Sequence, residues 1–267
     1  MKVIKTISFV ILAVLVSTSS SAMINKVGSA GALFLRINMD TRTAAMGEAC
    51  GAVVCGAPSV FQNPAGLALT TTKQLMLSDT EWIADIRLIG GVYAFPYGND
   101  GAIAVSAVCV DYGEMPAVSE YESDVITGTF RPMDIAIGIS YGRRWTDKLL
   151  VGGTLRYIDQ DIADTHSRGY AFDFGTIYYT GFRTLRLAMS TNNFGPDMSF
   201  DGAYVDRYYI GTAHIEREQS YGEYDLPLNF RIGLAYDFEI SPMSKLTLAF
   251  DATHPNDYSV RFSIGVK

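Results

Sequence analysis

Asp164, His166 and Ser167 place an acid, an imidazole and a hydroxyl within the four residues "DTHS". These are the residue types of nucleophilic hydrolysis, in which an imidazole oriented by an acid activates the hydroxyl. Near-adjacent positions cannot converge as the members of such a triad must, so the stretch reads as a polar surface loop. No enzymatic activity is expected. The other two histidines, His214 and His254, lack ligand spacing, which argues against a metal centre. Three cysteines, Cys50, Cys55 and Cys109, are an odd number and so speak against a disulfide framework. Cys50 and Cys55 could bridge, but cysteines in Ala/Gly-rich segments are more commonly small buried side chains. No cofactor is implied.

A second set of polar residues recurs at a regular spacing. From Lys73 onward the chain alternates with period two, which marks strands with one apolar and one polar face. In Met133 to Gly142, Ile135, Ile137, Ile139 and Tyr141 share one face, and Asp134, Ala136, Gly138 and Ser140 the other. On the polar faces fall Arg87, Arg156, Arg186, Arg231 and Arg261, with Asp85, Asp134, Asp173, Asp237 and Asp251. Charges of both signs in mid-strand suit a barrel lumen, where arginines and carboxylates of neighbouring strands pair and bond to a plug. The apolar faces carry no charge in the best strands, as lipid contact requires.

Ten such strands are recognisable, and their connections alternate in length. "PYGNDG", "WTDK", "TGFRT" and "SPMSK" are tight turns, whereas Gly113 to Pro132 and Gly195 to Asp225 are long. Short turns on one side and long loops on the other predict an all-β, transmembrane up-and-down antiparallel β-barrel. The rival is a soluble exported β-sandwich whose apolar face is its core. Strands of about ten residues, the length that crosses a bilayer when tilted, favour the barrel. Tyr93, Phe95, Tyr112, Trp145 and Tyr236 near strand ends suit interfacial aromatic girdles.

The first 22 residues have the layout of a secretory signal peptide: Lys2 and Lys5, an apolar core from Ile7 to Val16, and a small-residue tail ending at Ala22. Its removal takes two lysines away, so the net charge moves from −7 to −9. With no basic cluster, nucleic acid is excluded as a partner. The domain layout is therefore a signal peptide at 1–22, an N-terminal segment at 23–72 and a barrel at 73–267.

Residues 23–72 lack the alternation and are too few to bury a core of their own, so they must pack on something; the barrel lumen is the available place. Pro58 and Pro64 end whatever helix precedes them. Here Arg42, Ala45-Met46-Gly47 and Ala49, then Val60-Phe61 and Asn63-Pro64-Ala65-Gly66-Leu67-Ala68, form a pattern that resembles the N-terminal signature of the PorV/PorQ family, a branch of the FadL-like outer-membrane barrels. "NNFGP" from Asn192 and "LAFDATHPNDYSVRFSIGVK" from Leu248 fit as well.

The resemblance implies a fourteen-stranded outer-membrane barrel with an N-terminal hatch or plug shaped by Arg42, Met46, Gly47, Asn63, Pro64, Ala65 and Gly66, and no enzymatic activity. Its implied partners are outer-membrane lipid and either secretion-machinery proteins or hydrophobic small-molecule cargo. Two functions follow: delivery of protein cargo to the cell surface in type IX secretion, or FadL-like uptake of hydrophobic compounds such as long-chain fatty acids. Three positions depart from the family pattern: Glu48 replaces the usual Gly, Cys55-Gly56 stands where Asp is common, and Gln62 replaces an aromatic. Ten strands against fourteen, and a last residue that is Lys267 rather than an aromatic, lead to the expectation of a C-terminally truncated barrel with two open edges.

Overall fold

The computed structural model describes residues 28–118, 126–210, 213–241 and 244–267. Residues 1–22, expected to be a signal peptide, lie outside the described residues. Ten strands form one antiparallel sheet: β1 (Gln74–Glu81), β2 (Arg87–Tyr97), β3 (Gly101–Asp111), β6 (Met133–Arg144), β7 (Leu149–Ile162), β8 (Thr165–Tyr179), β9 (Arg186–Phe194), β12 (Asn229–Ser241), β13 (Ser244–Pro255) and β14 (Arg261–Val266). They pair in this order, each with its neighbour along the chain, so the meander is up-and-down throughout. β1 and β14 are its two edges.

The alternation of connection lengths holds with additions. Tight turns join β2 to β3, β6 to β7 and β8 to β9. On the opposite side, the two long connections contain hairpins of their own: β4 (Met115–Val118) with β5 (Ile126–Phe130), and β10 (Ala203–Ile210) with β11 (Ala213–Ser220). Between β7 and β8 the link is short, because "DTHS" belongs largely to the start of β8 rather than to a loop. His166 there approaches Asp161 at 3.4 Å, both exposed, while Ser167 is buried and bonds the Tyr224 hydroxyl at 2.7 Å. The His166 and Ser167 side chains thus serve separate contacts.

Burial runs opposite to what a soluble sandwich requires. Asp134, Ser140, Thr154, Arg156, Asp173, Ser190, Arg231, Thr247 and Asp251 are all buried. Ile137, Ile139, Leu155, Phe174, Met189, Ile232 and Phe262 are exposed, Ile139 to 60% and Phe174 to 58%. The apolar face of the sheet therefore points outward and the polar face points in, the arrangement of a membrane barrel wall. Trp145, Tyr93, Tyr97 and Tyr258 lie exposed near strand ends, as interfacial anchors do. Tyr112 does not join them, for its hydroxyl turns inward and donates to Asp134 at 2.7 Å.

The interior is filled by residues 30–70. Phe34 and Met39 pack with Leu88, Val108, Val110 and Ile158; Val60 and Leu67 pack with Val92 and Ala104; Met46, Ala49 and Ala65 pack with Leu150 and Ile177. Small inward residues on the strands, such as Ala94, Ala104, Ala188 and Ala249, leave room for this layer. An outward Ile139→Arg substitution is expected to destabilise the protein by about 2–4 kcal/mol in lipid vesicles. Urea unfolding of the reconstituted chain measures this, and an unchanged midpoint would count against lipid on that face.

Candidate functional site: the N-terminal segment and the wall it lies against

The N-terminal segment is a chain of short turns, each with an identifiable local cause. Asp40 caps the single-turn helix α1 (Thr41–Ala45), accepting from the Thr43 N–H at 3.1 Å. After Met46, Gly47 and Glu48 both adopt left-handed backbone, φ 61° and 65°. Glycine does so freely; for Glu48 the conformation costs about 1–2 kcal/mol. The Glu48 carboxylate accepts from Arg261 at 2.7 Å, an ion pair that helps to hold the turn.

Asn63-Pro64 does more than stop a helix. It follows the 3₁₀ turn Ala57–Phe61, as expected of a breaker, but also opens a second 3₁₀ turn, Pro64–Leu69. Proline suits the first position of a helical turn because its missing N–H would have no partner there. Asn63 caps this turn through Oδ1, which accepts from the Ala65 N–H at 3.2 Å. Its Nδ2 donates to the Gly51 carbonyl at 2.9 Å and to the Thr176 carbonyl of β8 at 3.2 Å. Asn63 thereby joins two parts of the segment to the wall. Gly66 is required by crowding, since a Cβ would sit 2.5 Å from the Val54 carbonyl oxygen.

The wall is shaped to receive this turn. Gly142, Gly152 and Gly175 are direct register partners across β6, β7 and β8, a strip without side chains on the inner face. A Cβ on Gly142 would lie 2.6 Å from the Leu67 Cβ, and one on Gly152 or Gly175 would run into Pro64 or Asn63.

Inward charges hold the other side of the segment. Asp251 on β13 accepts from the backbone N–H groups of Cys50 at 2.9 Å and Gly51 at 2.8 Å. Arg231 on β12 donates through Nη1 to Gln62 at 2.8 Å and to the Cys50 sulfur at 3.0 Å, with Asp251 3.9 Å away. Arg156 on β7 donates to Asp173 and to the Asn193 Oδ1, both at 2.8 Å, and the Asn193 N–H donates back to Asp173 at 2.6 Å. Asn193 sits at φ 59° in an irregularity of β9, where it closes this buried cluster. Arg186 and Thr247 share Asp237 at 2.6 and 2.8 Å.

The candidate residues therefore divide. Asn63, Pro64, Ala65 and Gly66 meet the glycine strip, and Met46 and Gly47 pack beside β14. Arg42 remains at the exposed start of α1 and joins none of these contacts through its side chain. Arg156, Arg186, Arg231, Arg261, Asp134, Asp173, Asp237 and Asp251 are inward. Arg87 is not: it alternates with buried Leu88, shares the outer face with Ile89 and Tyr93, and pairs with exposed Asp79 at 2.5 Å. Along β2 the inner positions are Leu88, Gly90, Val92 and Ala94, so polarity there does not mark the inside. Asp85 lies before the strand, in a turn. Sequence reasoning missed Cys50, Gln62 as a partner of the wall, and Asn193, although departures from a family pattern at Glu48 and Gln62 were a usable signal.

Cys50 is buried and free, Cys55 exposed and free, and Cys109 half-buried. Burial pushes the Cys50 thiol up to about 11. Its alkylation should therefore be slow at neutral pH and still rise by about tenfold per pH unit through pH 8–10, as the thiolate fraction grows. Mass spectrometry after maleimide labelling should find Cys55 modified well before Cys50. Asp251→Ala leaves two buried N–H groups unpaired, about 1–3 kcal/mol each, and is expected to speed Cys50 labelling at least about tenfold; an unchanged rate would show that Asp251 does not hold the segment. Gly152→Ala should lower stability by about 1–3 kcal/mol through overpacking against Pro64, whereas Gly153→Ala on the outer face should be nearly neutral. Thermal unfolding of the two variants distinguishes these outcomes.

A model of the family described as type IX secretion system protein PorV matches residues 20–255 of the chain. No curated protein sequence matches it.

Proposed function

The chain belongs to the PorV family of type IX secretion system proteins, and from that premise we propose that it is a non-catalytic outer-membrane barrel protein that handles secreted protein cargo on its way to the cell surface. The observation that carries this reading is the inverted sheet: an outer face of Ile, Leu, Phe and Met suited to lipid, and an inner face whose carboxylates and arginines bind the N-terminal segment. In this reading residues 23–72 are a plug, the strands from 73 onward are the wall, and the tyrosines and tryptophan near strand ends are anchors at the membrane surface. Residues 1–22 would direct export and be removed.

The elements beyond the lipid band supply surfaces for partners. The β4–β5 and β10–β11 hairpins both rise from the long-connection side, the side that faces outward in barrels of this kind. Around the base of the second, Phe200, Tyr204, Tyr221 and Tyr224 form a chain of ring contacts with centroids 5.5–6.4 Å apart. Aromatic side chains supply large contact area at low entropic cost, as cargo or secretion-machinery proteins would need.

FadL-like uptake would call for an apolar compartment beside the plug. The cavity found there is lined by Arg36, Arg231, Arg261, Asn192 and Asn229 among others, which favours the secretion reading over bulk passage of hydrocarbons. Deletion of the gene is expected to leave type IX cargo trapped in the periplasm, and affinity purification of the chain to bring down other outer-membrane components of that machinery. Normal cargo delivery in the deletion strain, with loss of fatty-acid uptake instead, would overturn the proposal.

A further inference from the structure

We infer that the rim formed by the β6–β7 and β8–β9 turns binds the phosphate headgroup of an anionic phospholipid in the membrane leaflet on the short-turn side; this rests on the reading of the sheet as a membrane wall. The two turns lie side by side. The Tyr179 N–H donates to the Lys148 carbonyl at 2.8 Å, and a Cβ on Gly181 would come within 3.1 Å of the Lys148 Nζ. The end of β6 and the turn after it carry Arg143, Arg144 and Lys148, and the next turn carries Arg183. All four are exposed, and none has a side-chain hydrogen bond or ion pair among the described residues. The acids of these turns and of the adjoining β2–β3 turn are Asp147 and Asp100. Four cations thus face two carboxylates, in a chain with 28 acids and 21 basic residues. On the long-connection side, by contrast, the exposed Arg87, Arg131 and Arg168 each pair with a carboxylate, Asp79, Asp111 and Asp159.

The rim continues the lipid-facing surface, which selects the occupant. Along β6, Ile137, Ile139, Tyr141 and Arg143 fall in turn on the outward face. Beyond them Trp145 and Phe182 are exposed to 67% and 66%. A guanidinium at the end of an apolar row, with an indole and a phenyl ring at the same rim, stands where hydrocarbon gives way to headgroups. Guanidinium forks match the oxygens of a phosphate, and juxtamembrane lysines and arginines attract anionic lipid. An acidic protein or a free anion would use the cations and leave the rings and the apolar row unused. A phospholipid uses both, and the positive excess favours a headgroup with net negative charge over a zwitterionic one.

The test is native mass spectrometry of the full chain, purified in an uncharged detergent and mixed with equal amounts of dilauroyl phosphatidylglycerol and dilauroyl phosphatidylcholine. Retention of phosphatidylglycerol is expected to exceed that of phosphatidylcholine at least about fivefold, and Arg143→Gln combined with Arg183→Gln to bring the ratio down to about one. Arg144→Gln combined with Lys148→Gln is a second variant of the same rim, should the first fail to fold, and is expected to lower the ratio at least about threefold. Arg87→Gln combined with Arg131→Gln, on the long-connection side, should leave it unchanged. Equal retention of the two lipids by the unaltered chain, an undiminished ratio in either rim variant that folds, or an equal loss in the long-side variant would overturn the inference. Displacement of phosphatidylglycerol by millimolar inorganic phosphate would also overturn it, by assigning the rim to a soluble anion. Any of these results concerns the headgroup preference alone; a chain that stays monodisperse without detergent and retains neither lipid would refute the membrane reading itself.

Discussion

A sheet that turns its apolar face outward and its polar face inward must settle every inward charge from within. Removing one partner from a buried ion pair costs about 3–5 kcal/mol, because the remaining charge has no water to turn to. This constraint explains why Arg156 and Asp173 are exposed by no more than 5% and yet tied by a closed ring of contacts through Asn193. It also explains why Asp251 reaches backbone N–H groups of the N-terminal segment rather than a side chain of its own strand. Wall and segment are mutually dependent: the wall supplies charges that need donors and acceptors, and the segment supplies turns whose polar ends need partners.

The glycine strip meets the same demand by shape. Three glycines in register across β6, β7 and β8 weaken those strands slightly, since glycine brings no packing and extra backbone entropy. The loss is offset because the Asn63-Pro64 turn lies directly against the sheet backbone, close enough for Asn63 to donate to the Thr176 carbonyl. Proline fits there for a related reason. It brings no N–H into a place where a donor would lack a partner.

The ten wall strands were legible because period-two alternation is a local property, as Met133 to Gly142 shows over a single strand. Which face looks inward was not local: the same alternation would serve a sandwich, and the parity of short and long connections, with strands of about ten residues, spoke for a barrel. Arg87 was assigned to the lumen because polarity stood in for direction, and on β2 the inner face is Leu, Gly, Val and Ala. Tyr112 failed for the complementary reason, an aromatic near a strand end whose hydroxyl finds an inward carboxylate. The contacts of Cys50, Gln62 and Asn193 with the wall span 20 to 201 positions of sequence and depend on register, which no single stretch encodes. The hairpins inside the two long connections were missed because length alone had marked them as loops.

The departures from the family pattern acquire a physical meaning once register is known. Gln62, in place of an aromatic, directs an amide oxygen at Arg231; Glu48, in place of glycine, accepts a strained backbone and pairs with Arg261. Both changes put acceptors opposite wall arginines on neighbouring parts of the sheet, β12 and β14. The Asn63–Leu69 turn meanwhile rests on β6, β7 and β8, several strands away in the sheet order. The N-terminal segment is thus a brace between two separate stretches of wall. It meets β6–β8 by close packing and the Asn63 bond to the Thr176 carbonyl, and the other stretch through the bonds of Asp251 and Arg231 and the Arg261–Glu48 ion pair.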